Sequence, residues 1–258
     1  MGILRPAKQQ VRRLAFYASR AALRTAGLGS ERVVLILAHM RSGSTLFMHL
    51  LSAHPKIIGN GESHTAYRSP DDLDRLCLWT RVLNRAPLRR VHYVADQIVH
   101  DDFTPEITLL RHPRVRSIFL IREPTASISS LVRYTRAVRK EWSLQMATDS
   151  YIRRLHTLAR HADALRGSNA ALALTHQDLI ERTPDTLRRL QKFLGLETGF
   201  SEQYATQKFT GLRGDRSANI RAGHIIRNRT AAPLDMPSDQ LESAWQAYHA
   251  YRQTLTAL

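Results

Sequence analysis

The sequence predicts an α/β fold: three layers (αβα) around a mostly parallel central sheet, with a P-loop-like strand–loop–helix near its start. Three observations predict it. Residues 33–37, VVLIL, form a short, uncharged, β-branched run that leads through Gly43 into a helical apolar pattern at 46–51. Such a run is what a strand buried on both faces looks like. Residues 117–121, SIFLI, repeat the pattern and pass through Glu123-Pro124 into another helix. Strand and helix patterns then alternate, and no Pro/Gly-rich linker, repeat or low-complexity segment divides the strands between separate cores. Residues 31–258 are therefore read as a single domain, preceded at 1–30 by a basic amphipathic helix.

Composition narrows the class. Of 258 residues, 43 % are hydrophobic and 23 % charged, as in an ordinary globular protein. The balance of 38 basic to 22 acidic residues gives a net charge of +16. That excess fits an anionic ligand, nucleic acid, an anionic membrane surface, or simply a solvated basic exterior. Aromatic residues are only 7 % and no groove-reading helix stands out, so nucleic acid is not the expected partner. The lone Cys77 permits neither an internal disulfide nor a cysteine zinc site, and fits a small buried side chain in a reducing compartment.

In the first 30 residues Val11, Leu14, Ala15, Ala18, Ala21 and Ala22 recur at helical spacing, with Lys8, Arg12, Arg13, Arg20 and Arg24 mostly elsewhere. The helix can pack on the domain or lie on an anionic membrane. Its largely alanine face buries little area and favours packing. The segment lacks the apolar core of a secretory signal, and no stretch is apolar enough to span a bilayer. Pro6 stands where a myristoylation signal would want Ser or Thr. The expected location is cytoplasmic, with peripheral membrane contact through residues 1–30 as the open alternative.

After the first strand comes His39-Met40-Arg41-Ser42-Gly43-Ser44-Thr45. A strand turning through glycine into a helix presents backbone N–H groups, backed by the helix dipole, to an anion. Arg41 adds a planar fork of donors, and Ser42, Ser44 and Thr45 add hydroxyls. Against the Walker pattern, Ala38 replaces the first glycine, Gly43 and Thr45 fit, and Ser44 replaces the lysine. An NTPase needs that lysine and a magnesium ion. A sulfuryl group carries less charge, and one arginine with oriented amides can hold it without a metal. The plain alternative is a strand–turn–helix with a surface arginine.

The next strand, at 56–59, runs into the turn Gly59-Asn60-Gly61-Glu62-Ser63-His64. Ligands of open parallel sheets bind beyond the carboxyl ends of strands. Glu62 and His64 are thus candidates for proton transfer, or else turn-capping residues. A helix follows at 70–83, then a strand at 91–94 that ends at Ala95-Asp96-Gln97. His100-Asp101-Asp102 could suggest a metal cluster but reads more simply as a solvated turn before Phe103 and Pro105. No second cluster with ligand spacing accompanies it, so no metal is expected.

Arg122 stands at the end of the 117–121 strand, and Ser127, Ser129 and Ser130 lie on the helix behind it. Arg122 and Ser130 can converge on one phosphate. Alternatively, Arg122 pairs with Glu123 and the serine bonds back to its own helix. Helices at 125–140 and 144–165 follow, the second with Met146, Ile152, Leu155 and Leu158 apolar and Arg153, Arg154 and Arg160 on other faces. Trp142 between them reads as an interhelix wedge or an acceptor-site aromatic. A strand at 170–174, the segment THQDLIERTPDTLRRLQKFLGL, a glycine- and arginine-containing loop at 210–226 and a helix at 238–257 complete the chain.

These motifs carry a resemblance. RSGSTLFMHLLSAHP resembles the 5′-phosphosulfate loop of sulfotransferases that use 3′-phosphoadenosine-5′-phosphosulfate (PAPS). Glu62-x-His64 is similar to the Glu-x-His element of many carbohydrate and bacterial members, where the glutamate commonly acts as base. Arg122 with Ser130 matches the family's 3′-phosphate pair. His176-Gln177-Asp178-Leu179, Pro184 and Phe193-Leu194-Gly195-Leu196 follow its scaffold pattern, with His176 for tyrosine and Gln177 for glutamate as departures. Gln97 stands where relatives often carry a lysine.

The resemblance implies sulfuryl transfer from PAPS to an acceptor hydroxyl or amine, releasing adenosine 3′,5′-bisphosphate without a metal. Its implied donor site is Arg41, Ser42, Gly43, Ser44, Thr45, Arg122 and Ser130, with Arg213, Arg216 or Arg221 as candidates from the late loop, which equally reads as a solvated linker. Its implied catalytic groups are Arg41, Glu62 as base, and His64 as base or acceptor-orienting residue. The acceptor, a small molecule, glycan or lipid, is expected in a pocket shaped by residues 65–85 and the late loop. The competing readings are a P-loop nucleotide kinase or NTPase, and a non-catalytic basic module for nucleic acid or membrane.

Overall fold

Val33, Leu35 and Leu37 join one apolar cluster, and Val34, Ile36 and Ala38 join another. All six are buried. This parity makes residues Arg32–Ala38 (β1) the centre of a sandwich, because successive strand side chains point to opposite faces. In the computed structural model, the described residues are 16–19, 21–22, 25, 31–138, 140–207, 209–211, 218–227 and 234–258.

β1 is flanked by Tyr93–Ile98 (β3) and Val115–Ile121 (β4). Ile57–Gly59 (β2) and Ala171–Thr175 (β5) form the edges. The order is β2-β3-β1-β4-β5, and every pairing is parallel. One face carries α1 (Ser44–Ala53), α6 (His176–Glu181) and α7 (Thr183–Leu194), through Phe47, Met48, Leu50, Leu51, Leu179, Leu187 and Leu190. Against the other face pack α2 (Pro70–Leu83), α4 (Pro124–Ala137), α5 (Leu144–Ala164) and α9 (Ser238–Leu255). Short helices α3 (Ile107–Leu110) and α8 (Ala218–Arg221) lie in connections. This is the expected three-layer αβα class, and the sheet is parallel throughout.

Local chemistry sets the helix ends. Ser69 and Asp72 form a reciprocal capping box with Pro70 in the first turn of α2. Gly195 ends α7 at φ 62°, a left-handed angle that favours glycine. Two expectations need correction. β3 runs to Ile98 and includes Asp96 and Gln97, whose side chains are buried although polar. Arg154 does not lie on an outer face of α5: it is only 3 % exposed, because its guanidinium meets carbonyls at two strand ends.

Most of residues 1–30 falls outside the described residues. Where it is described, residues 16–19 are helical and meet the start of α2. Tyr17 donates to the Asp71 carboxylate at 3.3 Å, and the Phe16 ring lies 5.5 Å from the Arg75 guanidinium. Among the described residues, no helix is long and apolar enough to cross a membrane.

Candidate active site

The loop after β1 is shaped by two left-handed residues, Arg41 at φ 66° and Gly43 at φ 93°. The conformation is costly for Arg41. Gly43 is required for a second reason: a Cβ there would lie 2.6 Å from the His176 ring. As N-cap of α1, Gly43 offers no side-chain acceptor to the first-turn N–H groups, and no acidic residue occupies that turn. Those amides and the helix dipole are left to face an anion. Ser42 is fully buried and its Oγ has no hydrogen-bond partner among the described residues. A buried hydroxyl in that state suits a site completed by a ligand oxygen.

The second arginine motif folds onto the first. Arg41 Nε donates to Ser130 Oγ at 3.0 Å, and Arg122 donates to the Arg41 carbonyl at 3.2 Å. The Arg41 guanidinium also lies 5.2 Å from the centre of the Tyr134 ring. Glu123 caps α4 by accepting from Ala126 N at 2.7 Å. Tyr151 OH donates to the Arg122 carbonyl at 2.8 Å.

Two histidines that sequence reasoning assigned no chemistry sit inside this arrangement. His39 is a neutral bridge: its Nδ1–H donates to Met40 O at 2.9 Å and its Nε2 accepts from Arg122 N at 3.1 Å. Burial, with Arg122 and Arg154 nearby, lowers its pKa to about 4. His176 opens α6 against Gly43. Burial and the charge of Arg122 lower its pKa to about 3. His176, read from the sequence as scaffold, packs its ring against Gly43 of the loop. Next to it, Thr175 caps α6 by accepting from Asp178 N at 2.9 Å and donates to the Asp178 carboxylate at 2.8 Å.

Beyond β2 and β3 lies an acidic corner. Asp96 is buried on β3 and accepts from Ser63 N at 2.9 Å, Ser63 Oγ at 2.5 Å and Tyr67 OH at 2.5 Å. Burial raises its pKa, and the three donors act against the rise. Gln97 N donates to Gly61 O at 3.3 Å, and Gln97 Nε2 to Glu62 Oε1 at 3.1 Å. The strand thus fixes the turn through Asp96 and the Glu62 carboxylate through Gln97. Glu62 Oε2 faces His64 Nε2 at 3.3 Å and His100 Nε2 at 3.7 Å. His100 was read as part of a solvated turn; the sheet brings it to Glu62.

Between this corner and the anion loop opens a cavity of about 410 Å³. Its walls include Met40, His100, Ser127, Trp142 and Tyr151. Trp142 also packs on the core, so it is both wedge and cavity wall. Of residues 65–85, Thr65 lines the small cleft beside Glu62. The helix α2 is instead occupied with the core through Leu73, Leu76 and Cys77. Arg154 frames the cavity floor. It donates to Ala38 O at 2.9 Å, Ile98 O at 2.7 Å and Asp101 at 2.9 Å, tying the carboxyl ends of β1 and β3 together.

In the late loop, Arg213 and Arg216 lie outside the described residues. Arg221 ends α8, exposed and close to Gly211. Thr210 Oγ1 meets His49 Nε2 at 2.8 Å, anchoring the loop's start to α1.

Residues 102–202 match the model of the Sulfotransferase family. No curated protein matches the chain. A sulfotransferase from Alicyclobacillus acidocaldarius is similar over 88 % of this chain and 94 % of its own, at 14 % identity and a TM-score of 0.50. The sulfotransferase domain from the curacin biosynthetic pathway shares 14 % identity over 84 % of this chain and 97 % of its own, with a TM-score of 0.49. Mouse sulfotransferase SULT7A1, complexed with PAP, shares 13 % identity over 66 % of this chain and 59 % of its own, with a TM-score of 0.46. The family match includes Arg122, Ser130 and His176; the anion loop and Glu62 precede it. The matched stretch, residues 102–202, is thus similar to the sulfotransferase family, and the fold is shared with the sulfotransferase from Alicyclobacillus acidocaldarius.

Proposed function

We propose that the protein transfers a sulfuryl group from PAPS to an acceptor hydroxyl or amine. The observation that carries the reading is the convergence of two anion motifs: Arg41 and the Ser42–Thr45 loop on one side, Arg122 and Ser130 on the other, joined by the Arg41–Ser130 hydrogen bond. A donor with phosphate groups at both its 5′ and 3′ ends needs two such sites. ATP has no 3′-phosphate and needs one.

In this reading the Ser42–Thr45 amides and Arg41 hold the 5′-phosphosulfate, and the buried Ser42 hydroxyl gains a partner. Arg122 and Ser130 hold the 3′-phosphate. The acceptor occupies the cavity walled by Met40, Trp142 and Tyr151. Its oxygen or nitrogen attacks sulfur in line with the bond to the 5′-phosphate. As the new bond forms, that S–O bond breaks and Glu62 takes the acceptor's proton. The negative charge leaves on a phosphate oxygen of adenosine 3′,5′-bisphosphate, where Arg41 and the helix N-terminus stabilise it. Gln97 aims the Glu62 carboxylate, and His64 orients it or the acceptor.

The test is transfer of radiolabelled sulfate from PAPS across an acceptor panel of phenols, sugars, lipids and amines. Formation of a sulfated product that Glu62→Gln reduces by about 10²-fold or more supports the reading. No product from any acceptor class, with phosphoryl transfer from Mg-ATP, would replace it with a kinase.

A further inference from the structure

We propose that Glu62, His64 and His100 form a binding site for a divalent transition-metal ion of the zinc type, and that the ion acts as a brake on the proposed reaction. The brake rests on the sulfotransferase reading; the site itself does not. Two imidazoles and a carboxylate are ligands that zinc accepts, with the fourth position left to water or substrate.

The geometry is close to what such an ion demands. Tetrahedral ligands at about 2.0–2.1 Å from zinc lie about 3.3 Å from one another. Glu62 Oε2 is 3.3 Å from His64 Nε2 and 3.7 Å from His100 Nε2, and the three ligand atoms all lie within 4.8 Å of each other. Small side-chain rotations complete the set.

The ligands are also held from outside. Glu62 Oε1 is engaged by Gln97, which turns Oε2 towards both imidazoles. Outer partners of this kind orient metal ligands and fix their affinity. His64 is held at φ 53°, a left-handed angle, and the Phe103 ring stands edge-on to the His64 and His100 rings at 5.1 and 6.5 Å. The trio draws on the turn after β2 and the end of β3, neighbouring strands whose register pairs Gly59 with Ala95. Asp101, the next acid along, is already held by Arg154 and so stays out of the set. All three residues line one small cleft with Thr65 and Val99.

The consequence follows from the carboxylate. Oε2 bound to a metal cannot accept the acceptor's proton. An ion here suppresses turnover, and its removal restores it.

The experiment uses the full chain, stripped with EDTA and desalted, and titrated with Co²⁺ as a coloured stand-in for zinc. We expect visible d–d absorption of a low-symmetry site that saturates at one equivalent and is displaced by Zn²⁺. His64→Ala and His100→Ala should each abolish it while keeping the far-ultraviolet circular dichroism of the parent. Gln97→Ala should weaken Co²⁺ by about 10–100-fold. No Co²⁺ spectrum, or a spectrum unchanged in both histidine variants, overturns the site. Should either alanine variant unfold, His100→Gln gives the same discrimination. In the transfer assay, one equivalent of Zn²⁺ should reduce turnover by about 10²-fold, with recovery on chelation. Binding without inhibition keeps the site and overturns the brake. A Co²⁺ spectrum in a protein with no transfer activity overturns the functional reading and its brake, not the site.

Discussion

Arg41 Nε donates to Ser130 Oγ across 3.0 Å, joining two residues 89 positions apart. Through this bond the anion loop of β1 and the arginine–serine motif of β4 share one wall. Their affinities for the two ends of one ligand should therefore be coupled. In a double-mutant cycle, Arg41→Ala and Ser130→Ala should lose adenosine 3′,5′-bisphosphate affinity non-additively, with an interaction of about 0.5–3 kcal/mol. Calorimetric titration of the four proteins checks it. Strict additivity would mean the two motifs do not act as one site.

Glu62 and Gln97 give a graded pair. Glu62→Gln removes the proposed base and should lower turnover by about 10²-fold or more, leaving bisphosphate binding at its parent value. Gln97→Leu keeps the carboxylate but frees it, and should lower turnover by less, with donor binding again intact. Parallel measurement of kcat and of bisphosphate binding separates the two. A Glu62→Gln variant with parental kcat would remove Glu62 from the role of base.

The two neutral histidines beside the Arg41–Gly43 loop make folding sensitive to acid. His39 and His176 have native pKa values of about 4 and about 3, below the ordinary 6.5. A base whose native pKa is depressed costs nothing above pH 6.5, where both states are neutral. As pH falls below that value the unfolded chain takes up protons that the native state refuses. Stability should then fall by about 1.4 kcal/mol per pH unit for each histidine, until the native pKa is reached. Urea unfolding between pH 7 and pH 4.5 measures the slope, and His176→Phe should remove its own share. An unchanged slope in that variant would mean His176 is not buried neutral.

Arg154 should be among the costliest single side chains to lose. Arg154→Met leaves the Ala38 and Ile98 carbonyls without their guanidinium donor at the ends of two strands. A loss of about 3–5 kcal/mol is expected, read by urea unfolding. A loss below about 1 kcal/mol would show that water replaces the guanidinium at both carbonyls.

The legible parts of the sequence were those governed by local periodicity. β1 and β4 showed as unbroken apolar runs because both their faces are covered. Gly43 and Gly195 marked their turns because the left-handed backbone there favours glycine. Arg122 could be placed at a strand end and Ser130 on the helix that follows because the two lie eight residues apart in one unit, whereas the Arg41–Ser130 bond spans 89 residues and left no local sign. What stayed hidden depends on contacts between distant segments. Arg154 looked like a surface arginine, since nothing in its helix reveals the two carbonyls that neutralise its burial. His100 looked like a turn residue, since only the pairing of β2 with β3 brings it to Glu62. The cavity walls come mainly from α4, α5 and the ends of β1 and β3, a grouping created by the strand order and not by proximity in the chain.

The central claim is that the two anion motifs form one site for a nucleotide bearing phosphate at both 3′ and 5′ positions. Thermal unfolding with adenosine 3′,5′-bisphosphate, beside AMP and Mg-ATP, tests it most directly. At about 100 times its Kd a ligand adds roughly 2.7 kcal/mol to the folded state. The account predicts a raised Tm with the bisphosphate, little change with AMP, and loss of the shift in an Arg122→Ala/Ser130→Ala variant. A Tm raised by Mg-ATP and unmoved by the bisphosphate would contradict it.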